Sequence, residues 1–478
     1  MFRVAGLLIL LLTSEFCDAG ELKHPLTFRV KGDVTKLLAK LDKVKEKHRI
    51  PAYALVITTP TKIVVQQIRG SAAANTTQAV SQDAYFRIGS ITKTFIGLAA
   101  LIAESQDKLN LNDSVYQYLS PQIIENTFSE NHDIKVAHLL EHTSGLPDMS
   151  KPEFDSNDVV TIEQGLNRFS QHRKNIWPAG HFYSYSNTNY GLAGRVIEIA
   201  TQQNLEQWLT ESLFKPLGMQ SATLDHNDKV KQYLVPGYQR NGIETIPYWN
   251  MIYPSLGAMN IRPGDMAKLI QLYLQNGNRY ISAAMITRQE TPKTSLAARA
   301  GLSYGYALGL YQWFRDGYRF YGHGGDADGY LSHFGYQKDI QLGYFVVINT
   351  FNGRAKREMK SIIEHFIVEN SRGKDLNTKE TGSKTRLKMP SNERLDDYAG
   401  EYLQATKRFA RENAALLHVK VEDSQLQIKD DEASQWRPLI SLGNGIFRHR
   451  FEPAASIVFF TYENRIYMVG DEGNFVKR

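Results

Sequence analysis

The chain has 478 residues, 42% of them apolar and 22% charged, the balance of an ordinary globular protein with room for one large domain and one small one. The 56 basic and 50 acidic residues give a net charge of +6; they are interspersed and form no aromatic-rich basic platform, which argues against nucleic acid as a partner. The one cysteine is Cys17, and it falls in a segment expected to be removed, so the mature chain is read as having no thioester chemistry, disulfide or cysteine-based metal site.

Arg3 precedes the apolar run Val4 to Leu12, and small Cys17 and Ala19 follow two apart. This is the pattern of a secretory signal over residues 1–19, cut after Ala19. The run is too short for a bilayer, which takes ~20 residues. Glu15 and Phe16 make poor neighbours for lipid attachment at Cys17. Cleavage leaves 55 basic against 48 acidic residues, a net +7, which suits the anionic surface of a cell envelope. The mature chain is therefore expected to be soluble and exported, periplasmic or extracellular, with no integral membrane segment.

Asp33 can cap a helix in which Leu37, Leu38, Leu41 and Val44 form one stripe. Ala52 to Thr58 and Lys62 to Gln67 read as a hairpin split by Pro60. A long middle region mixes helical patterns with loops rich in Gly, Asn, Ser and Pro. Strand patterns return at Leu331 to Tyr336 and Leu342 to Asn349, followed by a helix with Met359, Ile362, Ile363, Phe366 and Ile367 on one face. This order predicts an antiparallel sheet with both terminal helices on one face. The domain spans residues 20–369. Residues 370–392 lose the apolar pattern and read as a polar linker. Residues 393–478 carry short β-rich runs at Ala415 to Val421, Ile446 to Phe451, Ser456 to Tyr462 and Arg465 to Val469, with a turn at Glu463-Asn464; they predict a small all-β domain.

Three motifs carry chemistry. Ser90-Ile91-Thr92-Lys93 offers a hydroxyl with an amine three residues on, and Gly89 before it opens a stripe of Ile91, Phe95, Leu98 and Ile102. On a helix, Ser90 and Lys93 share a face. The positive helix N-terminus favours a developing oxyanion, and burial there biases the amine toward its neutral form, able to take the serine proton. The same spacing recurs at Ser105, Ser212 and Ser371, in poorer contexts. An N-capping serine with a surface lysine would look alike. Tyr185-Ser186-Asn187 lies in a turn-rich loop ahead of a helix and can present a phenol into a cleft; Tyr248-Trp249-Asn250 and Tyr462-Glu463-Asn464 match the same pattern, the last inside a predicted hairpin. His323-Gly324-Gly325 suggests a strand edge open to a ligand backbone, or a surface histidine at a strand end.

His138-Leu139-Leu140-Glu141-His142 has the spacing of a zinc motif, but Thr143-Ser144-Gly145-Leu146-Pro147 stops the helix at once and no third ligand follows. Neither a metal nor a cofactor is expected. Tyr248, Trp249 and Tyr253 could line an acyl pocket, although core packing accounts for them better.

Taken together, these segments resemble the class C β-lactamase-like serine hydrolases, a family of β-lactamases, D-alanyl-D-alanine carboxypeptidases, D-aminopeptidases and carboxylesterases. The resemblance rests on Phe86 to Phe95, His138 to Pro147, Pro178-Ala179-Gly180 ahead of Tyr185, Phe214 to Met219 and Gly322 to Gly325, in order across residues 34–369. Tyr398 to Tyr402 resembles the start of a barrel-like domain often appended to such enzymes. The resemblance implies an α/β (α+β) fold with a β-lactamase/transpeptidase-like antiparallel sheet flanked by helices, a helical region and the small C-terminal all-β domain. It implies Ser90 as nucleophile, Lys93 and Tyr185 as general base and acid, Asn187 as a partner of Lys93 and of substrate, and an oxyanion hole from the N–H groups of Ser90 and Asp326. His323, Gly324 and Gly325 stand where β-lactamases carry Lys-Thr-Gly. A neutral histidine there lowers the prospect of a β-lactam substrate, which presents a carboxylate.

The function expected is an exported serine hydrolase acting through an acyl-enzyme on carboxylic esters or D-amino-acid amides or peptides, so that its partners are small-molecule or cell-wall peptide substrates. A penicillin-binding D-Ala-D-Ala carboxypeptidase or weak β-lactamase is one alternative. A non-catalytic envelope scaffold on the same fold is the other.

Overall fold

The first described helix, α1 (Val34–Lys47), starts where its cap predicts: the Asp33 carboxylate accepts from the Thr35 and Lys36 amides at 3.0 and 3.2 Å. Its buried residues are Leu37, Leu38, Leu41 and Val44, the expected stripe. This computed structural model describes residues 32–370, 394–406, 415–430, 435–470 and 473–478. The predicted signal and nearly all of the predicted linker lie outside the described residues.

A six-stranded sheet forms the first part of the molecule, from β1 (Ala52–Thr58), β2 (Ile63–Gly70), β3 (Tyr311–Arg315), β4 (Tyr318–Ala327), β5 (Tyr330–Gln337) and β6 (Leu342–Ile348). The order is β2-β1-β6-β5-β4-β3, and every neighbouring pair is antiparallel. β1 and β6 are buried along their whole length, so both faces must be covered. Tyr344 on β6 donates to Glu364 of the last helix of this part, α5 (Gly353–Glu369), while its neighbour Gly343 meets Ile270 of α4 (Pro263–Leu274) on the other face. α1 joins the first face: Tyr53 of β1 donates to Asp42 at 2.8 Å, and α1 packs on α5.

Sequence patterning misses β3 and β4. Their strand signal is diluted by Gly317, Gly322, Gly324 and Gly325 and by tyrosines whose polar tips mask apolar bodies.

Between β2 and β3 runs the helical region. Its centre is α2 (Thr92–Ser105), buried from Thr92 to Ala103 on all sides. The stripe expected for Ile91, Phe95, Leu98 and Ile102 is thus part of a helix apolar around its circumference. α3 (Asn187–Thr201) packs against it.

The C-terminal part is a closed antiparallel barrel of eight strands, β7 (Gly400–Gln404), β8 (Leu416–Glu422), β9 (Gln425–Asp430), β10 (Arg437–Gly443), β11 (Ile446–His449), β12 (Ile457–Tyr462), β13 (Arg465–Gly470) and β14 (Gly473–Lys477), with β14 pairing back onto β7. Four of these strands match the predicted runs. Closure removes the edges that an open sheet would expose. Tyr402, Leu417, Val419, Ile428, Phe447, Phe459, Met468 and Phe475 fill the interior. Glu463 and Asn464 both have positive φ, 47° and 60°, the geometry of a two-residue hairpin turn.

Candidate active site

Ser90 sits in a single 3-10 turn, Gly89–Ile91, that leads into α2. Gly89 makes this placement possible. Its φ is +53°, and a Cβ there would lie 2.6 Å from the backbone N and O of Asp326 on β4; a side chain would suffer both strain and collision. Ser332 on β5 ties the same junction, donating to the Ile88 carbonyl at 2.9 Å. A Cβ on Gly325 would meet that carbonyl at 1.8 Å. Two glycines therefore let the Ser90 turn lie directly against β4. β3 pairs with β4 only up to Gly322, so from His323 to Ala327 the β4 edge is left to this turn.

Lys93, one helical turn on, is fully buried. Its Nζ donates to Ser90 Oγ at 3.0 Å, Asn187 Oδ1 at 2.9 Å and the Leu256 carbonyl at 2.6 Å. Asn187 opens α3, and its own N–H donates to the Asp148 carboxylate at 2.7 Å. The Tyr185 hydroxyl donates to Ser90 Oγ at 2.9 Å. One partly exposed oxygen thus has an amine and a phenol in contact with it.

The Tyr185 loop is held by His142, which the sequence marked as part of an apparent zinc motif and of the His138 to Pro147 segment but not as a neighbour of Tyr185. His142 has φ +55° and is buried. Its ring lies 4.3 Å from that of Tyr185, its Nδ1 accepts from the Ser186 amide at 3.2 Å, and its carbonyl accepts from the Ser184 amide at 2.8 Å. Tyr190, Tyr306 and Tyr311 complete an aromatic cluster around these rings. Burial pushes the Tyr190 and Tyr306 phenols up, so both stay protonated. No local pattern marks this cluster; it exists only in three dimensions.

His323 is buried at 2% exposure rather than open at the strand edge. Its Nδ1 faces the Gly324 carbonyl and its Nε2 lies 3.2 Å from the Tyr306 hydroxyl. Burial pushes its pKa down to about 3, with the Gly324 carbonyl opposing and the charges of Lys93 and Lys356 assisting. The imidazole is therefore neutral at physiological pH. Gly324, Gly325 and Asp326 follow on the β4 edge, and the Asp326 carboxylate is ion-paired with Lys356 of α5.

The other matches to these motifs part company. Ser105 and Ser212 each donate to a carbonyl of their own helical segment, and Ser371 lies outside the described residues. His138 accepts from the Lys135 amide, and buried Glu141 pairs with half-buried Arg288 at 2.7 Å. With His142 under Tyr185, the three side chains of the zinc pattern serve three different purposes. Tyr253 is bound to the buried Glu153–Arg173 pair, Tyr248 lies under the Arg87 guanidinium, and Trp249 packs on Phe154.

The family model described as Beta-lactamase matches residues 34–366. The chain belongs to this family. Protein flp of Staphylococcus aureus (strain MW2) is 27% identical over 258 residues, covering 52% of this chain and 50% of that protein; the chain spans about half the length of the curated relatives it matches. Among solved structures, the octameric penicillin-binding protein homologue from Pyrococcus abyssi superposes with a TM-score of 0.61 at 19% identity, over 93% of this chain and 100% of that one. The β-lactamase/D-alanine carboxypeptidase from Yersinia pestis, complexed with citrate, gives 0.59 at 19% identity, over 71% of this chain and 100% of that one. These likenesses establish the β-lactamase/transpeptidase-like fold. Among the described residues, no helix is long and apolar enough to cross a membrane.

Proposed function

We propose that this β-lactamase-family chain is an exported serine hydrolase that works through an acyl-enzyme on carboxylic esters or D-amino-acid amides. The observation that carries the reading is the double contact on Ser90 Oγ, from Lys93 Nζ at 3.0 Å and the Tyr185 hydroxyl at 2.9 Å. In its neutral form the Lys93 amine, or the Tyr185 phenolate, takes the Ser90 proton as Oγ attacks the substrate carbonyl. The N–H groups of Ser90 and Asp326 stabilise the oxyanion. The tetrahedral intermediate collapses, the leaving oxygen or nitrogen receives that proton through Tyr185, and water attacks the acyl-Ser90 by the reverse route.

The substrate class follows from charge. His323 is neutral and turned into the aromatic cluster, and Lys356 is committed to Asp326. Neither supplies a free cation for a carboxylate next to the scissile bond, which favours neutral esters and amides over β-lactams and D-Ala-D-Ala peptides. A panel of matched acyl donors, with and without that carboxylate, tests this. Faster turnover of the neutral members is expected; preference for the carboxylates would reverse the assignment. Export rests on residues 1–19, and an N-terminus beginning at Gly20 in protein recovered outside the cytoplasm is its test.

A further inference from the structure

The loop that carries Tyr185 has two faces. One faces Ser90. The other is covered by the C-terminal barrel, residue after residue. The His181 ring stands 4.9 Å from Tyr462, in the turn-forming end of β12. The Phe182 ring stands 5.6 Å from Tyr467 on β13. The Tyr183 carbonyl accepts from Asn474 Nδ2 on β14 at 2.9 Å. Asn474 is buried, and the same Nδ2 donates to Thr406 Oγ1 at 2.8 Å, which fixes the orientation of the amide. Its backbone is set by the Ala405 amide, 2.7 Å from the Asn474 carbonyl. A small apolar cluster of Ala297, Leu302 and Val458 seals the neighbouring contact.

Tyr183 is two residues from Tyr185 and shares its surroundings. The Tyr183 hydroxyl is 2.7 Å from that of Tyr311, whose ring stacks on Tyr185 at 9° between planes. A shift of the Tyr183 carbonyl therefore moves both the backbone of Tyr185 and the ring beside it. Proton transfer depends steeply on such placement, since a misplacement of about 1 Å costs on the order of 100-fold.

We propose that Asn474 is a positioning residue for Tyr185, and that through it the C-terminal barrel sets the reactivity of Ser90. The inference rests on the proposed hydrolase mechanism. Asn474→Asp keeps the shape but replaces the donor with an oxygen that repels the Tyr183 carbonyl. The rate of Ser90 phosphonylation by a fluorophosphonate should fall about 10-fold, while Asn474→Ser, which retains a donor, should recover part of the loss. In a Tyr185→Phe background the same Asn474→Asp change should cost nothing further, because the residue acts through that phenol. An equal loss in both backgrounds would overturn the proposal, since a merely structural role is indifferent to Tyr185.

Hydrogen exchange over residues 181–186 gives a readout independent of activity. Asn474→Asp should accelerate it with the barrel amides unchanged, and unchanged exchange in the loop would overturn the proposal. Should Asn474→Asp fail to fold, Tyr467→Leu, which loosens Phe182, carries the same two tests. A folded wild-type protein that no fluorophosphonate labels would instead remove the hydrolase mechanism, and the exchange comparison would still decide whether Asn474 holds the loop.

Discussion

Ser90 and Tyr185 meet at one oxygen, but the two sides of that contact are built differently. The Ser90 side is local. Serine and lysine come from one turn of a buried helix. Ser332 of β5 pins that turn to the sheet by donating to the Ile88 carbonyl at 2.9 Å, while Thr92 Oγ1 closes the turn on the Gly89 carbonyl at 2.7 Å and Thr94 Oγ1 donates to the Gly309 carbonyl at 2.7 Å. The Tyr185 side is a loop held by tertiary contacts from His142 on one flank and the barrel on the other. Ser90 is preorganised by secondary structure, and the Tyr185 phenol by packing. Damage to the first should be close to all-or-none, and damage to the second graded.

The largest effect is expected from Lys93→Met. It removes a proton acceptor and leaves Asn187 Oδ1 and the Leu256 carbonyl without the donor they share, and turnover should fall by roughly 10³–10⁴. A loss below 10-fold, measured as kcat/KM on a neutral ester, would assign the proton transfer elsewhere. Next comes Gly89→Ala. Positive φ and the collision with the Asp326 backbone together predict about 2–4 kcal/mol of destabilisation in urea unfolding, along with loss of labelling at Ser90. A wild-type midpoint would mean that the turn can move off β4. Tyr185→Phe should lower turnover about 100-fold with an unchanged melting temperature; unchanged turnover would remove the phenol from the mechanism.

The remaining effect concerns acid. Burial pushes His138 and His323 down to about 3, from an unfolded value near 6.5. The unfolded chain therefore binds more protons in this window, and stability is full above about pH 6.5 and declines as pH falls toward 3. At pH 5 the two groups should each cost about 2 kcal/mol relative to pH 7, and His138→Gln should flatten part of the slope. Equal unfolding free energies at pH 7 and pH 5 would contradict their burial in the neutral form.

The same contrast governs what can be read from sequence. Ser90 and Lys93 are legible because i,i+3 spacing on a helix is itself a geometry. Asp33, the α1 stripe and the Glu463-Asn464 turn are legible for the same reason. The predicted hairpin sets Tyr462 aside, but choosing Tyr185 over Tyr248 took the family resemblance, since a loop has no periodicity to decide it. His142, Tyr306 and Tyr311 reach Tyr185 from sequence separations that no local pattern spans, and the spacing of His142 from His138 and Glu141 disguised it as a metal ligand. The burial of His323 was hidden as well. Glycines on both sides suggested an open edge, whereas Tyr306 and Tyr311 close over the ring. β4 escaped for a related reason: the glycines that let Ser90 approach are those that weaken its strand signal.

The most direct measurement is the intact mass of the purified protein after reaction with a fluorophosphonate, beside a Ser90→Ala control. One adduct per chain on the wild type and none on the control is the predicted result, because the proposed mechanism has the amine and phenol on Ser90 Oγ activate it as a nucleophile. A folded wild-type protein that remains unmodified would contradict the account at its centre.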